Sequence, residues 1–192
     1  MPSDRLILAS TSPRRRQLMT EAGYPFEVVS PSELAECGVC SGETPPQLVA
    51  RLAWQKAADV STRVGPSVII ACDTVAECHG QVLGKPVDEE HARRMLTMLS
   101  GRRHRVFSGL CVWRVPAGEP TIRVATTTLQ MDDLPAARIE EYLATGLWEG
   151  KAGAFGFQDE LDWVHIEEGS PSNVVGLPME LLAELLADVW VQ

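Results

Sequence analysis

The sequence predicts a mixed α/β fold, a sheet flanked by helices. Three observations carry that expectation. Apolar runs and helical patterns alternate early in the chain, beginning with the buried-strand signature Leu6–Ala9 and the helix-opening Ser12-Pro13. "SVIIACDTVAEC", residues 67–78, places five apolar residues in a row before Asp73 and is the strongest strand signal. Two β-rich stretches, His104–Arg114 and Thr121–Met131, are joined by the turn "PAGEP" and read as antiparallel strands.

Each element has a local reason. Leu6–Ala9 is short, apolar and closed by a Ser/Thr/Pro boundary. Ser12 as N-cap with Pro13 at the first helical position opens a helix to about Ala22, and Gly23 stops it. Phe26–Val29 reads as a second strand. Residues 30–45 have no periodicity and read as a long loop, a kind that in compact domains is usually functional or disordered. Thr44-Pro45-Pro46 starts a helix with apolar positions Leu48, Val49, Leu52, Ala53 and Ala57, and Lys56 falls toward its end. After the strand 67–78, "HGQVLGKP" turns at Gly80 and Gly84. Asp88 caps a helix carrying Ala92, Met95, Leu96 and Leu99, closed by Gly101. "LPAARIEEYLATG" is a helix ended by Gly146. The glycine-rich stretch 151–176 is expected to hold short strands at Gly153–Phe157 and Trp163–Ile166. Leu177-Pro178 opens a last helix to about Ala187, whose stripe Leu181, Leu182, Leu185 and Leu186 reads as core.

Composition narrows the function. The 192 residues show no linker, repeat or low-complexity segment, so 1–192 is expected to be one domain. A net charge of −9 argues against nonspecific binding to nucleic acid or an anionic membrane. No apolar run approaches a membrane span, and the N-terminus lacks the pattern of a signal peptide. The five cysteines are an odd number and read as reduced thiols, which points to the cytoplasm. Cys37 and Cys40 have half the spacing of a zinc site, but no second pair completes it.

The residues with chemical potential start at "STSPRRR". Arginines in a first helical turn oppose the helix dipole. They read either as a solvated face or, with Ser10, Thr11 and Ser12 beside exposed N–H groups, as a phosphate-binding corner. Asp73 ends an apolar run and either caps the following turn or faces a ligand at a strand end. Lys85 lies between Gly84 and Pro86, where rigid flanks could aim its ammonium into a cleft or leave it solvated. Lys56 reads as dipole complementarity or as a second cation. The glycines of "GKAGAFGFQ" and "NVVGLP" allow close backbone approach to a ligand, or simply tight turns.

Taken in this order, "LILASTSPRRRQLM", "LVARLAWQKA", "IIACDTVAE", "VLGKP", "ARRMLTMLSGRRHRVFSG", "EYLATG", "GKAGAFGFQ" and "SPSNVVGLP" resemble the Maf family of nucleoside triphosphate pyrophosphatases, also called septum-formation proteins, over nearly the full chain. The resemblance implies an elongated twisted sheet with two lobes around a deep nucleotide-binding cleft. It implies hydrolysis of a nucleoside triphosphate to the monophosphate and pyrophosphate with a divalent cation, Mg²⁺ or Mn²⁺. By position it implies Asp73 as proton acceptor, Ser10, Arg14, Arg15, Lys56 and Lys85 as phosphate ligands, and Arg14, Thr74 and Gln158 as base-selecting residues. Asp73 would share the metal with a second carboxylate, Glu36 being favoured over Glu33 by its spacing from Phe26. Asp73-Thr74-Val75 and "GAFGFQ" are similar to the branch acting on dTTP and UTP. Pro171, where the family often has Tyr, and the acidic "QDELDWVHIEEG" depart from the pattern beside the base-selecting region. The expected partners are a nucleoside triphosphate, no nucleic acid and no membrane, with a homodimer an open assembly. The alternative is a non-catalytic nucleotide-binding regulator of cell division.

Overall fold

The computed structural model describes residues 5–35, 42–159 and 161–191. Strands β1 (Leu6–Ala9), β2 (Phe26–Val28), β3 (Ser67–Cys78), β4 (Gln81–Leu83), β5 (Arg103–Val115), β6 (Thr121–Met131) and β7 (Val164–Glu168) alternate with helices α1 (Pro13–Glu21), α2 (Pro45–Ser61), α3 (Glu89–Leu99), α4 (Ala136–Ala144), α5 (Pro171–Val175) and α6 (Met179–Val191). Among the described residues the strands form one seven-stranded sheet, ordered β2-β1-β3-β5-β6-β7, with β4 paired to β3. β1 runs parallel to β2 and to β3, whereas β4 and β7 pair antiparallel with β3 and β6. The expected mixed α/β architecture is the one observed.

The chain divides into two compact units. The first comprises Met1–Asp73, Ser108–Ala125 and Gly176–Gln192. Its central runs, Leu6–Ala9 of β1 and Val68–Cys72 of β3, are apolar throughout because helices cover both faces. Leu6 and Leu8, paired in register with Val68 and Ile70, join Cys72, Leu110 and Val112 on one face, packed by Met19 of α1 and by Leu182, Leu185 and Leu186 of α6. Ile7, Ala9, Ile69, Ala71 and Cys111 line the other face against Ala53, Ala57 and Val60 of α2. The period-two alternation of side chains thus sorts one continuous apolar run into two cores.

The second unit comprises Thr74–Phe107 and Thr126–Val175. Its core gathers Ala76 and Cys78 of β3, Ala92, Met95, Leu96 and Leu99 of α3, Leu129 and Met131 of β6, and Ile139, Tyr142 and Leu143 of α4, with Phe155 and Trp163. Asp88 caps α3 as its sequence implies, accepting a hydrogen bond from His91 N at 2.7 Å.

Four sequence expectations are corrected. The segment expected as a strand at Gly153–Phe157 is instead two 3-10 turns, Ala152–Ala154 and Phe157–Asp159. Gly153 and Ala154 take φ of +72° and +63°, which an extended strand cannot hold. "HGQVLGKP" contains β4 as the second arm of a hairpin, not only turns. α2 continues to Ser61, so Lys56 lies inside the helix rather than at its end. "SPSNVVG" begins with the short helix α5. Within the expected loop 30–45, a 3-10 turn spans Glu33–Ala35. The Cys37/Cys40 pair and Glu36 lie outside the described residues; Cys72, Cys78 and Cys111 are buried and form no disulfide among the described residues.

Candidate active site

β1 and β3 pair through Ala9 and Ala71, and the chain just past each pair carries the polar groups. Ser10 is buried, with its own N–H donating to Leu8 O at 3.0 Å. Its hydroxyl accepts from Ser12 N at 3.1 Å and from Arg15 Nη1 at 3.4 Å. Ser12 caps α1, and Pro13 follows in the first turn, as the sequence implies. Arg15 is half-buried, and its Nε donates to Gly176 O at 2.7 Å. The same carbonyl accepts from Cys72 Sγ at 3.3 Å. One backbone oxygen therefore ties the arginine corner of α1 to the residue that precedes Asp73. Arg14 is half-buried, and Arg16 is exposed.

Lys56 sits on the buried stripe of α2 with Val49, Ala53, Ala57 and Val60. Its ammonium donates to Asp73 Oδ1 at 2.6 Å, and the two side chains are 6% and 15% exposed. Each residue explains the other. A lysine on an apolar helix stripe and a carboxylate at the end of an apolar run are both costly to bury singly, and together they form a neutral unit. Sequence reasoning marked both residues, but it read Lys56 as a helix-end cation. Its place on the apolar stripe was the overlooked signal.

The loop leading from β2 is tied to α2 through a residue that sequence reasoning missed. Asp59 accepts from Ser32 N at 2.9 Å and from Ser32 Oγ at 2.7 Å. The Ser32 hydroxyl, then its backbone N–H and Arg63, hold the Asp59 carboxyl below its ordinary range. Glu33, the other carboxylate weighed for a metal, is exposed beside this anchor.

The remaining predicted residues lie in the second unit. Thr74 is half-buried; Lys85 and Gln158 are exposed. Lys85 follows Gly84, whose carbonyl accepts from Gly153 N at 3.1 Å, so the "GKP" turn is fastened to the glycine-rich segment. Gln158 occupies the middle of the 3-10 turn Phe157–Asp159. On either side of this segment Lys151 and Asp159 form a buried ion pair that sequence reasoning did not single out. A lysine inside a run of small apolar residues was its only signal.

The described residues hold no group of three or more His, Cys, Asp or Glu side chains placed to bind a metal. A small hard cation held by one or two protein carboxylates plus substrate phosphates would need no such group. Asp73 fits such a sparse donor set.

The family model for Maf-like proteins matches residues 5–189. A protein of Rhodopirellula baltica named dTTP/UTP pyrophosphatase is 54% identical over 184 residues, 95% of this chain and 81% of that protein. Proteins of the same name from Sphingopyxis alaskensis and Thermococcus gammatolerans are 42% and 44% identical, the first over 97% of both chains and the second over 94% of both. Among solved structures, a HAM1 protein from Coxiella burnetii shares the fold at TM-score 0.55 and 15% identity, over 96% of this chain and 98% of that one.

Proposed function

This chain belongs to the Maf-like protein family, and from that membership we propose that it is a nucleoside triphosphate pyrophosphatase acting on pyrimidine nucleotides of the dTTP and UTP type. The names of its relatives support the reaction and the branch. The observation that carries the reading is the Lys56–Asp73 pair. A buried ion pair contributes little to stability compared with apolar residues of similar volume, so its presence favours a chemical role. The same pair disfavours a non-catalytic regulator, since a protein that only bound phosphates would gain nothing from a carboxylate beside them.

In this reading Arg14, Arg15 and Ser10 receive the triphosphate, with guanidinium and hydroxyl donors suited to phosphate oxygens. Lys56 and Lys85 offset its negative charge as the reaction proceeds. Asp73 orients a water and accepts its proton as the water oxygen bonds to the α-phosphorus. The bond from that phosphorus to the bridging oxygen breaks, and pyrophosphate leaves. Gln158, with Thr74 and Arg14, selects the base, because an amide offers both a donor and an acceptor to a pyrimidine's carbonyl and N3–H. A divalent cation, Mg²⁺ or Mn²⁺, would be held by Asp73 with Glu36 and the phosphates, and when bound it supplies charge neutralisation and a more acidic water. Residues 1–192 act as one catalytic domain. No described helix is long and apolar enough to cross a membrane. The proposed setting is the cytoplasm, where the enzyme would clear unwanted nucleotides.

The test is direct. The protein is incubated with UTP and Mg²⁺, and UMP and pyrophosphate are quantified. Asp73→Asn is expected to abolish turnover while leaving UTP binding largely intact. Near-normal turnover in that variant removes Asp73 from the mechanism, and an inactive wild type removes the reaction.

A further inference from the structure

Lys151 and Asp159 are the ends of a short buried brace that fastens the turn carrying Gln158. Their side chains are 9% and 8% exposed, and Lys151 Nζ donates to Asp159 Oδ2. Tyr142 of α4 donates its hydroxyl to the same oxygen at 3.2 Å. Burial first, then the charge of Asp159, raises the Tyr142 pKa well above its ordinary value, so the phenol remains a donor. Gly156 rests directly on the pair: a Cβ there would lie 2.5 Å from Lys151 Nζ and 2.7 Å from Asp159 Oδ2. Asp159 N donates to Gly156 O at 3.0 Å and closes the turn, while Lys151 O accepts from Ala154 N at 3.1 Å.

Gln158 is exposed between two held neighbours. Phe157 packs against the core of the second unit, and Asp159 is fastened through its carboxylate. A 3-10 turn of this length has little intrinsic stability. Something other than regular hydrogen bonding must fix where its middle residue points. An ion pair has directional partners, and an apolar contact of the same size does not.

We propose that the Lys151–Asp159 pair, with the Tyr142 hydroxyl, is a positioning device for Gln158 and so determines base selectivity. This rests on the reading that Gln158 meets the base. Asp159 is a positioning residue: it acts through the turn, not by touching the nucleotide. A polar group misaligned against the base is expected to lower selectivity roughly ten- to hundredfold.

The experiment compares dissociation constants for non-hydrolysable α,β-imido analogues of UTP and GTP in wild type, Asp159→Asn, Gln158→Ala and the Gln158→Ala/Asp159→Asn double variant. Binding is read without turnover, so failure of the hydrolytic reading shows separately, as absent pyrophosphate release from UTP by the wild type. Asp159→Asn is expected to lower the preference for the uridine analogue about tenfold and to leave the guanosine analogue within about twofold. In the Gln158→Ala background it is expected to change the preference no further, because the two residues act as one unit. Additive losses, or equal losses for both analogues, overturn the proposal. So does unchanged preference in Gln158→Ala. A Lys151→Met/Asp159→Leu variant guards against misfolding by removing both charges together. Wild-type melting with lost preference supports positioning by the ion pair, and wild-type melting with preference intact overturns it.

Discussion

Gly109 leaves no room for a side chain beside Val49: a Cβ at this position would lie 2.2 Å from the Val49 carbonyl oxygen and 2.7 Å from Ala50 N. β5 and α2 thus meet backbone to backbone, and α2 is the helix that delivers Lys56 to Asp73. Gly109→Ala is expected to push α2 outward, costing about 1–3 kcal/mol as overpacking does. Because Lys56 moves with the helix, pyrophosphate release should fall together with the melting temperature.

Lys56→Met strands the Asp73 carboxylate without its 2.6 Å partner. Breaking a buried pair costs about 3–5 kcal/mol; residual solvent access at Asp73 should put the loss toward the lower end. Adding Asp73→Leu is expected to restore most of the stability in urea titrations while the protein stays inactive. Stability and catalysis would then separate at one pair.

Arg15 and Arg16 are adjacent and opposite in fate. Arg15 reaches Gly176 O at 2.7 Å and Ser10 Oγ at 3.4 Å, whereas Arg16 is exposed. Arg15→Ala is expected to cut kcat/KM for UTP by roughly a hundredfold, in line with the loss of a charged hydrogen-bonding group. Arg15→Lys should recover little, since an ammonium cannot reproduce the fork. Arg16→Ala should lie within about twofold of wild type in the same assay.

His104 gives the fold an acid-sensitive point. Burial lowers its pKa below the ordinary 6.5, opposed by the Arg102 carbonyl and the Glu77 charge. Its Nε2 is buried without a hydrogen-bond partner among the described residues, and its ring meets the edge of Phe155 at 5.5 Å. The unfolded chain therefore binds a proton that the folded protein resists. The neutral ring's contribution is complete above about pH 6.5 and is lost as pH falls through that value toward the folded-state pKa. Urea midpoints measured at about pH 7.5 and pH 5.5 should differ more for wild type than for His104→Asn.

Legibility followed the physics of each segment. The run Val68–Cys72 could be read because a strand covered by helices on both faces has no polar alternation to blur it. Ser12-Pro13 and Asp88 could be read because helix caps are local chemistry. The stretch Gly153–Phe157 misled because left-handed φ at Gly153 and Ala154 is a conformation that small residues permit but do not announce. Asp73 and Lys56 were visible as chemistry, whereas their contact depends on how α2 seats on the sheet. Lys151 and Asp159 are joined through a turn with no periodicity, and nothing in the order of residues pairs them in advance.

Gly176 holds Arg15 and Cys72 through its carbonyl oxygen, at a backbone φ of +123°. Every amino acid carries a carbonyl. An alanine scan that deletes side chains one by one would pass over this anchor and credit the corner to Arg15 alone. What residue 176 contributes is a peptide orientation, and glycine is the residue that adopts it without strain. Genetic dissection of this site must therefore reach the main chain, by backbone ester replacement at the 176–177 linkage or by a D-amino acid at 176.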